Sequence, residues 1–205
     1  MKKIGIIGGT FNPIHNGHIN LAICCHSIKK FDEILVVPAA FPPHKTPSDL
    51  ASYDDRFYMC FLATKAFDIF TVCDIEKNRK GKCYTIDTIE ALQKLYNDAE
   101  FYFIMGSDML LMLHEWHKCD ELLTKMKICT SAREKEEYKK LMDYKNNYFK
   151  DCDIEIFDFP VLEVSSTEIR DKIKKGQDVS EFLCVDVQKY IKEKGLYRGL
   201  SNEWR

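Results

Sequence analysis

The chain alternates short apolar runs with longer amphipathic stretches. Ile4-Gly5-Ile6-Ile7 is one such run and Ile34-Leu35-Val36-Val37, stopped by Pro38, is a second. Four apolar positions without polar alternation suit a strand covered on both faces, as in a parallel sheet. The stretch from about Gly17 to Lys30 between them is long enough for a helix, so the chain opens on a strand–helix–strand unit. Residues 38–49 hold four of the six prolines and predict a loop. Ser52, with Asp55 three positions later, signals the start of a helix reaching about Lys65. Phe70–Cys73 predicts a third strand. Thr85 opens a helix in which Ile86, Ile89, Leu92 and Leu95 form an apolar stripe. Phe101–Met105 predicts a strand ending at Gly106, Met126–Cys129 another, and Arg133 to about Leu141 a charged helix. Ile154–Phe157 alternates as a last strand. Ser165 with Glu168 opens a helix to about Lys175, and Val187–Ile191 is helical.

This order predicts an α/β fold, a doubly wound parallel sheet with a small helical piece after Pro160. A single domain over residues 1–205 is expected, with 160–205 as its C-terminal helical subregion. The composition, 45% hydrophobic and 30% charged, can build a sizeable core. A net charge of -2 argues against bulk attraction to nucleic acid or membrane, so an anionic ligand needs a local site. No apolar run approaches a membrane span, and Met1-Lys2-Lys3 leads straight into a strand, so no secretory leader is expected. The nine cysteines include no C-x-x-C pair. Reduced, buried thiols in a cytoplasmic setting are expected, rather than disulfides or zinc.

The first strand runs into Gly8-Gly9-Thr10-Phe11-Asn12-Pro13-Ile14-His15-Asn16-Gly17-His18. A glycine-rich turn between a strand and a helix collects backbone N–H groups and a helix N-terminus, a place for anions. His15 and His18, three apart, fall on one side of that helix start. The dinucleotide pattern G-x-G-x-x-G and the phosphate loop G-x-x-x-x-G-K-[ST] both fail here.

The turn resembles the signature of the H-x-G-H nucleotidyltransferases, which bind ATP or CTP there. Within that superfamily the chain is similar to the nicotinate-nucleotide adenylyltransferases. Pro42-Pro43-His44-Lys45, Tyr84-Thr85-Ile86-Asp87-Thr88, Gly106-Ser107-Asp108 with Trp116, and Val164-Ser165-Ser166-Thr167-Glu168-Ile169-Arg170 all match, as does the ending Tyr190-Ile191 with Gly195-Leu196-Tyr197. The likeness runs in order from about residue 3 to 197. Asn12 stands where many members have Asp, which counts against a metal-ligand role for it. Ser107 stands where Ala is common, and residues 134–150 match nothing family-wide.

The resemblance implies a Rossmann-like nucleotidyltransferase fold and transfer of AMP from ATP to nicotinate mononucleotide. The attacking phosphate oxygen is already anionic, so no general base is needed, and catalysis is positioning and charge stabilisation. His15, His18, Lys45 and Arg170 are the implied catalytic set. ATP is expected at Gly8, Gly9, Thr10, Phe11, His18, Ile104, Gly106, Asp108, Ser165, Ser166 and Arg170, with Ile104 either an adenine wall or core. The pyridine nucleotide is expected at Asn12, His44, Lys45, Tyr84, Thr85, Trp116 and Arg133. Mg²⁺ is expected on the ATP phosphates and water, with no protein metal site. The implied partners are these two small molecules; a homo-oligomer is left open. The alternatives are the amide mononucleotide as substrate, the related pantetheine-phosphate reaction, and a non-catalytic nucleotide sensor.

Overall fold

The computed structural model describes residues 1–41, 50–79, 81–160, 162 and 164–198. His44 and Lys45 therefore lie outside the described residues. The chain begins in the middle of its sheet, with β1 (Lys2–Gly9), and passes through α1 (Asn16–Lys29) to β2 (Glu33–Pro38). It continues through α2 (Tyr53–Thr64) to β3 (Phe70–Val72), then α3 (Thr85–Leu95) carries it back across β1 to β4 (Ala99–Ile104). Three short elements follow: α4 (Ser107–Leu110), a 3-10 turn (Leu113–Glu115) and α5 (Cys119–Leu123). β5 (Lys127–Ala132), α6 (Lys135–Tyr148) and β6 (Ile154–Asp158) extend the sheet, and α7 (Ser166–Lys174) and α8 (Val185–Lys194) close the chain.

The sheet order is β3-β2-β1-β4-β5-β6, parallel throughout. The doubly wound α/β expectation is met. Winding reverses between β1 and β4, and the crevice beyond their carboxyl ends is where such sheets bind ligands. The register sharpens that crevice. β1 pairs with β4 only up to Ile7 opposite Ile104, but with β2 as far as Gly9 opposite Pro38. Gly8 and Gly9 thus run past the end of the β4 ladder, leaving their β4-side edge at the mouth.

The longer strands feed two cores, as the period of two requires. Ile4, Ile6, Leu35, Phe101 and Ile128 face α3 through Ile86, Ile89 and Leu92. Ile7, Ile34, Val36 and Ile104 face α1 and α2 through Leu21, Ala22, Met59 and Cys60, and Val187 and Ile191 of α8 join that same core. Each fully buried aliphatic side chain contributes roughly 1.5–3 kcal/mol. No described helix is long and apolar enough to cross a membrane.

Two expectations need correction. Leu95 is 67% exposed, because α3 ends there and Tyr96 leaves the helical conformation. The charged helix does not stop near Leu141 but continues to Tyr148. Tyr144 and Tyr148 supply the reason, since both rings pack against His114 of the 3-10 turn. The short elements between Ser107 and Leu123 carry too few residues for a periodic signal.

Candidate active site

The turn after β1 is held by close packing around two glycines. A Cβ at Gly8 would stand 3.1 Å from the Phe103 ring, and one at Gly9 3.0 Å from the Phe11 ring. Phe11 has a left-handed backbone, φ 49°, which costs a non-glycine residue on the order of 1–2 kcal/mol. In return its ring is buried edge-on to His18, with centroids 5.1 Å apart. Phe11 therefore supports a histidine from beneath, and its side chain does not line an open surface.

His15 is the extended residue immediately before α1, and its backbone N–H donates to Nδ1 of His18 at 3.2 Å. The two rings stack at 3.6 Å with planes 25° apart. Gly17 makes this possible. A Cβ there would meet the Leu162 carbonyl oxygen at 2.9 Å and His15 Nδ1 at 3.1 Å. The glycine of the H-x-G-H pattern thus leaves room for both the histidine and the segment crossing over it.

Burial lowers both imidazoles. His15 falls to about 4, through desolvation partly opposed by the Glu168 carboxylate. Desolvation also takes His18 well below the ordinary range, and His15 adds to the effect. With no phosphate bound, both rings are neutral at pH 7. Any positive charge on this pair therefore arrives with an anion. Since His18 Nδ1 accepts the His15 N–H, the proton of neutral His18 lies on Nε2.

The N-terminus of α7 is fastened to the same turn. Ser166 Oγ donates to the Pro13 carbonyl at 2.9 Å, and Arg170 Nη1 donates to the Asn12 carbonyl at 3.0 Å. Ser165 caps the helix through a reciprocal pair with Glu168. The expected capping box is present, and both serine hydroxyls are engaged within the protein. Arg170 sits against the turn, hydrogen-bonded to its backbone at Asn12.

Asn12 is placed differently from expectation. It is 1% exposed, and its Oδ1 accepts from the Ala51 N–H at 3.0 Å and the Tyr197 hydroxyl at 2.9 Å. The carboxamide ties the turn to the entry of α2 and to the chain end, and it is not open to a ligand. Ile104 is likewise core: it is 1% exposed and its methyl would meet a Cβ at Gly5.

The remaining residues surround the mouth. Gly106 precedes α4, and a Cβ there would meet nothing within 4 Å, so the space beside it is open. Asp108 is exposed in the first turn of that helix. Trp116 stands edge-on to Phe103 at 5.8 Å, and Phe103 lies under Gly8, which links the indole to the turn through one ring. Tyr84 and Thr85 begin α3, with the Tyr84 ring 4.3 Å from that of His117. Trp116 and Tyr84 therefore approach from neighbouring elements. Arg133 is exposed just past β5, its N–H on Glu137 Oε2 at 2.7 Å.

Three buried or tethering residues were not anticipated. Glu76 accepts from Thr88 Oγ1 at 2.6 Å and from the Ala40 N–H at 3.2 Å, bracing α3 against the start of the proline loop. Tyr197 holds Asn12. Arg56 is buried on α2, and one signal could have found it: it shares the i, i+3, i+4 face with Met59 and Cys60, an apolar stripe with a cation in it. Among the described residues no three His, Cys, Asp or Glu side chains converge as a metal site. The turn instead offers donors suited to phosphate oxygens.

The cytidylyltransferase-like family pattern matches residues 6–172. A Clostridium tetani protein named "probable nicotinate-nucleotide adenylyltransferase" is 39% identical over 201 residues, covering 97% of this chain and 100% of that protein. One of the same name from Halalkalibacterium halodurans is 40% identical over 206 residues, covering 100% and 95%. The Plasmodium falciparum nicotinic acid mononucleotide adenylyltransferase complexed with NaAD superposes with a TM-score of 0.79 at 20% identity, covering 96% of this chain and 98% of that one, a likeness of fold. The chain belongs to the nicotinate-nucleotide adenylyltransferase family of cytidylyltransferase-like nucleotidyltransferases.

Proposed function

We propose that this protein transfers the adenylyl group of ATP to the 5′-phosphate of nicotinate mononucleotide, forming deamido-NAD and pyrophosphate. One observation carries the reading. The stacked His15–His18 pair sits at the open end of Gly8–Gly9, and α7 is bonded to the same turn through Ser166 and Arg170.

The mononucleotide's phosphate oxygen attacks the α-phosphorus in line, and the bond to the bridging oxygen of pyrophosphate breaks. No proton must leave the attacker, so the protein's work is orientation and charge stabilisation. His18 Nε2–H donates to the triphosphate, and the accumulating negative charge favours its protonation. Arg170 and the N–H groups of Gly9, Thr10 and Phe11 hold phosphate oxygens, Arg170 with a planar fork. Gly106 admits the adenosine and Asp108 accepts from its ribose hydroxyls. Trp116 stacks on the pyridine ring, with Tyr84 beside it, and the free N–H groups around Thr85 meet its carboxylate. Arg133 closes that side. Mg²⁺ carried by the triphosphate would neutralise phosphate charge, with His18, Arg170 and the turn N–H groups holding the remaining oxygens. The free state of all nine cysteines supports a reducing, cytoplasmic setting.

The purified protein, ATP and Mg²⁺ are to be incubated with nicotinate mononucleotide, the amide mononucleotide or phosphopantetheine in parallel. Deamido-NAD and pyrophosphate formed fastest with the acid support the reading. Preference for the amide would change the substrate, and no pyrophosphate with either pyridine nucleotide would reject the reaction.

A further inference from the structure

α2 buries a cation with no carboxylate bonded to it. Arg56 is 2% exposed on the face that also carries Met59 and Cys60. Its Nη1 donates to the Thr10 carbonyl at 2.6 Å and its Nε to the Ala51 carbonyl at 3.2 Å. The Tyr53 ring lies beneath it, 5.6 Å from the guanidinium carbon. None of the ion pairs among the described residues includes it. Glu76, the carboxylate that acts on it electrostatically, has its oxygens on Thr88 and Ala40. Carbonyl bonds satisfy N–H groups but leave the net charge, and a buried charge with no bonded counter-ion is costly. A neutral donor could tie two carbonyls together without that cost.

The two carbonyls show where the charge is applied. Thr10 lies in the nucleotide turn, and its carbonyl shares a peptide unit with the Phe11 N–H. A cation on that oxygen polarises the N–H into a stronger donor. Ala51 is where the chain leaves the proline loop and enters α2. Its N–H is held by Asn12 Oδ1, so the turn and Arg56 grip this residue from both ends. On the other side Arg170 holds the Asn12 carbonyl, so two guanidiniums bracket the turn.

We propose that Arg56 is a positioning residue for adenylyl transfer: a buried guanidinium that locks the nucleotide turn to Ala51 and takes its counter-charge from phosphates bound on that turn. This rests on the reaction proposed above. A carboxylate at position 12 would lie between Arg56 and Arg170 and share their field with the bound phosphates.

The test is calorimetric binding of inorganic tripolyphosphate, beside ATP with Mg²⁺, to the wild type and to Arg56→Lys, Arg56→Gln and Asn12→Asp. Thermal unfolding of each free protein is measured in parallel. Arg56→Gln is expected to weaken tripolyphosphate roughly 10- to 100-fold, while Arg56→Lys, which keeps the charge, stays within about 5-fold of wild type. Asn12→Asp keeps both acceptor bonds and introduces a negative charge. It is expected to lose roughly 3- to 10-fold in tripolyphosphate affinity, read on protein that its unfolding curve shows to be folded. If Arg56→Gln does not fold, the Asn12→Asp result decides. Tripolyphosphate affinity that is unchanged in Asn12→Asp, or in a folded Arg56→Gln, overturns the proposal and leaves Arg56 a structural tie. A wild type that binds tripolyphosphate but forms no dinucleotide rejects the reaction instead. A competent transferase whose phosphate affinity ignores both residues rejects this inference alone.

Discussion

The His15 N–H donates to His18 Nδ1 at 3.2 Å while the two imidazoles stack at 3.6 Å. The bond selects the tautomer and the stack selects the ring plane, so His18 presents Nε2–H in one direction. Its role is then that of a fixed donor to charge developing on the phosphates. His18→Ala is expected to lower kcat by about 10²- to 10³-fold with ATP affinity changed only a few-fold. Gln, whose amide nitrogen can reach the Nε2 position, is expected to retain more turnover than Asn. Steady-state kinetics and ATP calorimetry on the three variants check this. Unchanged turnover in His18→Ala would remove the residue from the chemistry.

Buried neutral histidines also make stability depend on pH. The His15 value of about 4 lies below that of an unfolded histidine near 6.5. Between those values the unfolded chain binds a proton that the folded protein refuses, so stability is full above 6.5 and falls as pH drops toward 4. From pH 7 to pH 5 the loss from His15 is about 2 kcal/mol, with His18 acting in the same direction. Urea midpoints at the two pH values measure it. His15→Gln, which cannot titrate, is expected to flatten the dependence, and an unaltered slope in that variant would refute the assignment.

Gly17 separates His15 from the segment above it. An alanine methyl would lie 2.9 Å from the Leu162 carbonyl oxygen, too close to be absorbed by a rotamer change in a flexible side chain. Gly17→Ala is therefore expected to cost about 1–3 kcal/mol of stability and to move α7 off the turn. Denaturant unfolding together with kcat/KM checks the coupling. A stable variant with normal kcat/KM would show that the crossing segment yields freely.

The Trp116 turn is braced from α6. The Tyr144 hydroxyl accepts from the His114 N–H at 3.2 Å and meets His114 Nδ1 at 2.7 Å, two residues before the indole. Tyr144→Phe is expected to cost about 1 kcal/mol of stability and to raise the KM of the pyridine nucleotide while leaving that of ATP unchanged. Trp116→Ala is expected to act in the same direction more strongly, by roughly 1–2 kcal/mol of lost stacking and burial. Separate KM determinations for the two substrates distinguish these outcomes from a loss confined to ATP, which would misplace the pyridine side.

Features decided by neighbouring residues were legible without coordinates. The Ser165–Glu168 box and the Ser52 cap depend on backbone groups three residues away, and both formed where their pattern stands. The apolar runs at Ile4–Ile7 and Ile34–Val37 became adjacent central strands, because a strand buried on both faces has few other places to go. Leu95 misled, and Ile104 was left between two readings, for one reason. An apolar residue fits a stripe or a wall equally well in a pattern, and only its neighbours in space decide.

The sequence by itself determined the strand–turn–helix, its paired histidines and the order of elements that makes a doubly wound sheet. These follow from local sterics, short-range hydrogen bonds and hydrophobic period. Only the tertiary structure decided that β4 ends where Gly8 begins, that both imidazoles are neutral in the free protein, and that Arg56 and Tyr197 converge on the same turn as Arg170. Desolvation and contacts between residues 46, 158 and 185 positions apart are set by how the chain closes on itself. The residue types at single positions do not carry that information.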